Sequence, residues 1–162
     1  MDLPICDICA KTGVLCSVCE TKLQRGQISE LDVEVSKALY GIGVEGIGFE
    51  RAIDTKNFVI ILTKKEDIGK IIGKNGDNLR LLSRKLGKKV RVIGTENMRD
   101  TIYDFVAPAQ ITAINTVYMP DGNIIRRIKI NKKDKKKLRM DIKEIERLIS
   151  SLSNDRVEIS FE

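Results

Sequence analysis

The chain has 162 residues, of which 42% are apolar, and carries a formal net charge of +6 with four cysteines and no histidine. That length and apolar content fit two small packed domains and exclude a globally disordered chain. Without histidine there is no Ser-His or Cys-His catalytic pair and no mixed Cys/His metal site; no carboxylate pair or nucleophile motif stands in, so the sequence points to a binding protein and not to an enzyme.

All four cysteines lie near the start, as Cys6-x2-Cys9-x6-Cys16-x2-Cys19. Two Cys-x-x-Cys pairs supply the thiolates of a tetrahedral metal site, with Gly13 reversing the chain between them. Disulfides would need an oxidising compartment, and Met1-Asp2-Leu3-Pro4 lacks the layout of a secretory signal; a duplicated redox pair has no thioredoxin-like unit to serve. The expectation is a structural zinc bound by Cys6, Cys9, Cys16 and Cys19 in a small ribbon or knuckle, residues 1–26, with iron less favoured on the same sulfurs. No aromatic residue stands near it to stack on a base, so it would meet a protein as readily as RNA.

A polar joint, residues 22–27, leads to Ser29, an N-cap for a helix over 30–40 whose Leu31, Val35, Ala38 and Leu39 form one apolar stripe. Gly41, Gly43, Gly46 and Gly48 end that helix in a turn. Strands are predicted over 49–54 and 58–63, then a helix over 66–72, a glycine loop at 73–76, a helix over 77–87 and a strand over 89–94. The layout then repeats. Met98, Ile102, Phe105 and Val106 reproduce the first stripe 67 residues downstream. Strands follow at 110–119 and 123–130 around the turn Pro120-Asp121-Gly122-Asn123, then a long helix bearing Leu138, Ile142, Ile145, Ile149 and Leu152, then a strand over 156–161. Such duplication implies two copies of one fold, residues 27–95 and 96–162.

The basic excess is concentrated. Residues 48–95 carry twelve Lys/Arg against five Asp/Glu, whereas residues 1–47 are net −3 and residues 96–162 net +2. A local basic field of this kind suits a polyanion. The longest apolar run, Phe58–Leu62, is five residues, too short to span a membrane, and a cytoplasmic location is expected.

The basic region surrounds Ile72-Gly73-Lys74-Asn75-Gly76-Asp77-Asn78-Leu79, which resembles the KH signature of a Gly-x-x-Gly loop flanked by apolar residues. Two glycines let a backbone between helices approach a sugar-phosphate strand, and a helix N-terminus beyond the second favours phosphate. In KH domains that loop clamps single-stranded RNA while bases lie in an adjoining apolar groove. The resemblance assigns RNA contact to Lys70, Ile72, Gly73, Lys74, Asn75, Gly76, Arg80 and Arg84. Because the required helix and strand precede the loop, the topology expected is the prokaryotic type (type II, αββααβ). Phe58, the run Lys89–Ile93 and Phe105-Val106-Ala107-Pro108-Ala109-Gln110-Ile111 sharpen the likeness to the NusA-like KH proteins of archaea, well over residues 29–130 and by layout beyond. That family has two successive KH domains and is linked by name to transcription elongation and termination.

One departure stands out. The second copy has Asn131-Lys132-Lys133-Asp134-Lys135-Lys136-Lys137 where the loop belongs, and no glycine after Gly122. It is expected to be a KH-like scaffold without the clamp, with Lys132, Lys133 and Lys135 either touching phosphate or simply solvated. The sequence therefore describes an α+β protein of two tandem KH units behind a zinc module. Single-stranded RNA, from a nascent transcript or a ribosome, is its expected ligand, with RNA polymerase or the ribosome as the wider assembly. The reading from a different class is an adaptor joining proteins through the zinc module and the second unit.

Overall fold

The computed structural model describes residues 3–43 and 46–162. Residues 1–2 and 44–45, the latter within the stretch that sequence reads as a glycine-rich turn, lie outside the described residues. The chain divides into two compact units, residues 1–96 and 97–162.

The first unit opens with two short helices, α1 (Asp7–Thr12) and α2 (Ser17–Gln24). The cysteine module is thus helical, where the spacing had suggested a ribbon or knuckle. Cys6 and Cys16 are the N-caps of these helices, so each Cys-x-x-Cys pair occupies a first helical turn, and Lys22 to Gln24 complete α2 rather than form a joint.

Helix α3 (Glu30–Gly41) starts with a capping box. Ser29 Oγ accepts from the Asp32 amide at 3.0 Å, and the Asp32 carboxylate accepts from the Ser29 amide at 2.9 Å. The other Asp32 oxygen accepts from the amide of Ala52 at 2.6 Å, so one buried carboxylate ties the helix start to the sheet. That sheet has the order β1 (Arg51–Asp54), β2 (Phe58–Thr63), β3 (Lys89–Gly94), with β1 antiparallel and β3 parallel to β2. The β2–β3 crossover consists of α4 (Lys65–Ile72) and α5 (Asp77–Leu86). Val35, Ala38 and Leu39 of α3 pack with Val59, Ile61 and Val90 of the sheet and with Ile71 and Leu82 of the crossover. Burying each of the valine, leucine and isoleucine side chains stabilises by roughly 1.5–3 kcal/mol. The order is α3-β1-β2-α4-α5-β3, the prokaryotic-type KH topology.

Helix α3 is used on two sides. Its Val33 and Tyr40 join a second cluster with Ile5, Cys9, Ala10 and Cys19 of the cysteine module. The module and the KH sheet therefore share one helix.

The second unit repeats the pattern with α6 (Met98–Val106), β4 (Ile111–Tyr118), β5 (Ile124–Ile130), α7 (Ile142–Ser153) and β6 (Arg156–Phe161). Again the middle strand pairs antiparallel with the first and parallel with the last. Two helical details depart from expectation. The long helix begins at Ile142, and Leu138, placed on its stripe by spacing, is extended (φ −64°, ψ 129°). The position of α4 is taken by a 3-10 turn, Lys132–Lys137. Among the described residues no helix is long and apolar enough to cross a membrane.

Candidate nucleic-acid interface and metal centre

The α4–α5 reversal is made by three left-handed residues out of four. Gly73 has φ 76° and ψ 174°, Asn75 φ 55° and ψ 21°, and Gly76 φ 75° and ψ 17°. Glycine takes such angles freely, and asparagine is among the few other residues that tolerate them. Backbone bonds from Gly73 N–H to Gly69 O (2.9 Å) and Gly76 N–H to Gly73 O (3.1 Å) close the turn. Among the described residues no side chain caps the start of α5; the carboxylate in its first turn, Asp77, is turned to Arg80, and the free N–H groups remain uncapped. Lys74 is exposed at the tip and has no carboxylate partner among the described residues.

The structure sorts the surrounding cations. Lys70, on the last turn of α4, is half exposed and 3.8 Å from Asp67. Ile72 is half-buried just before the loop. Arg80 is exposed, but its guanidinium contacts the Asp77 carboxylate, so part of its charge is spent locally. Arg84 is exposed one helical turn further along. Two other cations of the basic region, Lys88 and Lys85, lie against the first unit's own backbone. Lys88 bonds Asp54 Oδ1 at 2.6 Å and the Thr55 carbonyl at 2.7 Å. The ammonium of Lys85 lies over Gly41, where a Cβ would come within 2.7 Å of it; this puts a cation at the C-terminus of α3, whose last turn has none of its own.

In the second unit the lysine turn is held from below. Asp134 is buried; its carboxylate accepts from the Gln110 amide at 2.9 Å and pairs with Lys137 at 3.1 Å. The Gln110 hydrogen bond, with Lys137 beside it, holds the Asp134 carboxyl below the usual carboxylate range. Asn131 Oδ1 accepts from the Lys133 amide at 3.0 Å. Lys132, Lys133 and Lys135 project outward from this anchor, Lys135 with its ammonium 5.4 Å from the Phe161 ring. Among the described residues no left-handed loop exists here.

The four cysteine sulfurs lie within 4.8 Å of one another, and none is in a disulfide. The two halves of the module are cross-linked reciprocally: the Cys6 amide donates to Cys19 Sγ at 3.4 Å, and the Cys16 amide to Cys9 Sγ at 3.1 Å. Gly13, with φ 78°, ends α1 and turns the chain from one half to the other. Cys9 and Cys19 are buried, Cys6 and Cys16 exposed. The Cys19 amide chiefly draws the Cys16 thiol down to about 6. At Cys9 the Cys16 amide pulls downward, but burial and the neighbouring sulfurs outweigh it and raise the thiol to about 12. Sulfurs around a zinc at about 2.3 Å stand about 3.8 Å apart in a tetrahedron, so the donor set fits a thiolate-loving cation with all four positions filled by protein.

Residues 21–95 match the family model described as the NusA-like first KH domain. A stretch of 76 residues is 34% identical to the probable transcription termination protein NusA of Methanocaldococcus jannaschii, covering 46% of this chain and 41% of that protein. The crystal structure of APE1850 is similar with a TM-score of 0.59 at 20% identity, over 80% of this chain and 97% of that one, a likeness of fold. The match with the NusA-like first KH domain thus takes in α3, the whole first sheet and the Gly73–Gly76 loop, while the four cysteines before it and the second unit after it lie outside.

Proposed function

We propose that this protein binds single-stranded RNA, with the Gly73–Gly76 loop as the backbone clamp, and acts in transcription as a NusA-like factor. One observation carries the reading: a left-handed glycine loop, whose exposed lysine has no carboxylate partner among the described residues, stands at a helix start without a side-chain cap, inside a segment that matches a NusA-like KH domain. The printed name of the Methanocaldococcus jannaschii relative favours transcript RNA over ribosomal RNA. Lys70, Arg80 and Arg84 flank the loop, with Lys74 and Asn75 at its tip, and Ile72 offers the apolar edge. Lys132, Lys133 and Lys135 add contacts to phosphate that do not depend on sequence. The function is binding, with no bond made or broken.

The cysteine set is assigned to structural zinc, since four thiolates leave no coordination position open. Metal analysis of purified protein is expected to give about one zinc per chain; protein without metal and with four freely titrating thiols contradicts the assignment. Ile8, Val14 and Val18 of this module are 72%, 72% and 64% exposed, which favours contact of the module with protein over contact with RNA.

Equilibrium binding to a single strand and to a long perfect duplex tests the RNA reading. Preference for the single strand at physiological salt supports it, and equal affinity shows that charge alone is responsible. Crosslinking followed by sequencing of the bound RNA separates transcripts from ribosomal RNA.

A further inference from the structure

A side chain outside the loop signature supports the loop. Asn78, the second residue of α5, points back across the reversal, and its Nδ2 donates to the carbonyl of Lys70 at 3.1 Å. That carbonyl is among the last four of α4, which have no partner of their own within the helix. One amide therefore ties the end of α4 to the start of α5.

The same amide fills the space in front of Gly73. A Cβ at Gly73 would stand 2.6 Å from Asn78 Nδ2 and 2.7 Å from its Cγ, closer than real side chains come. A Cβ at Gly76 would meet only the guanidinium tip of Arg80, at 3.6 Å. The two glycines are thus required for different reasons. Gly76 is needed for its backbone angle alone, Gly73 for its angle and for the presence of Asn78.

We infer that Asn78 is a positioning residue for RNA binding, holding the 73–76 backbone in the shape that presents Lys74 and the start of α5 to a sugar-phosphate strand. The inference rests on the reading of this loop as the RNA clamp. Two of the four loop residues are glycines with wide backbone freedom, so a single loop shape is kept only where the surroundings fix it. Beside the closing backbone bonds, the Asn78–Lys70 bond is the side-chain hydrogen bond that ties the two sides of the loop together among the described residues. Asn78 itself need not touch RNA; it sets the geometry of groups that do.

The test is a double-mutant cycle on the full chain, read by binding to a fluorescent single-stranded RNA at one salt concentration, with Lys74→Asp alongside. Asn78→Ala is expected to weaken binding about tenfold, the worth of one hydrogen bond that organises the site. In the free protein the amide resonances of residues 73–76 should shift, while those of β2 and β3 stay in place and show that the fold persists. Gly73→Ala alone should be at least as damaging. In the Asn78→Ala background Gly73→Ala should cost clearly less than it does alone, because the amide it strikes is gone, although the strain of its positive φ and the Cβ of residue 78 remain. Two results overturn the inference: Asn78→Ala binding like wild type while Lys74→Asp is impaired, or the two single losses simply multiplying. If Lys74→Asp also binds like wild type, the clamp reading fails first and the role of Asn78 falls with it.

Discussion

Two carboxylates show how much a single residue organises in each unit. Asp32 accepts from the amides of Ser29 and Ala52, so truncation removes the reciprocal half of a capping box and orphans a buried strand amide together. Asp32→Ala is expected to destabilise the first unit by about 2–4 kcal/mol in urea unfolding, more than a cap alone is worth. In the second unit, Asp134 has its carboxyl pulled below the ordinary 3.8 by the Gln110 amide and Lys137. A depressed folded value means that the stabilisation is complete above the unfolded value and fades as pH falls through the folded one. Acid unfolding monitored on the second unit should therefore steepen below about pH 4, and Asp134→Asn should remove that component. An unchanged acid profile would show that the hydrogen bonds of Asp134 do not hold the lysine turn.

At the scale of elements, α3 is the piece on which two structures depend. Its Val35, Ala38 and Leu39 face the KH sheet, while Val33 and Tyr40 face the cysteine module. Removing the metal with a chelator should therefore speed amide hydrogen exchange in α3, and in α1 and α2, well before it affects α7. Exchange in α3 that ignores the chelator would show the module to be an independent appendage. Much of this architecture was legible in the sequence, for identifiable reasons. The β-branched run over 58–63 reads as a strand, and Ser29 as an N-cap marked the start of α3. The positions of Gly73 and Gly76 fixed the reversal. What escaped depended on contacts distant in sequence. Cys-x-x-Cys spacing is the same in a ribbon and in a helical turn, so it did not reveal that Cys6 and Cys16 cap helices. Leu138 kept the stripe of α7 in spacing although the chain there is extended. The role of Asn78 was invisible, since a spacing rule for glycines says nothing of the amide beneath them.

At the scale of the molecule, basic charge is plentiful but only part of it is available. Lys88 is committed to the fold, Arg80 shares its charge with Asp77 and Lys70 with Asp67, which leaves Lys74, Arg84 and the lysine turn as the exposed cations of most interest. Under the proposed function labour is divided between them: the first unit would clamp the strand and the second contribute charge. Fluorescence anisotropy with one single-stranded RNA, titrated at several salt concentrations, tests that division most directly. Replacing Lys74 and Asn75 with aspartates, both glycines untouched, is expected to weaken binding at least about tenfold while the fold survives. Replacing Lys132, Lys133 and Lys135 with alanine should weaken it moderately for every sequence and flatten the salt dependence by at most about 0.7 units of slope per lost phosphate contact. Normal binding by the aspartate variant, together with lost sequence preference in the lysine variant, would contradict the account and place the clamp in the second unit.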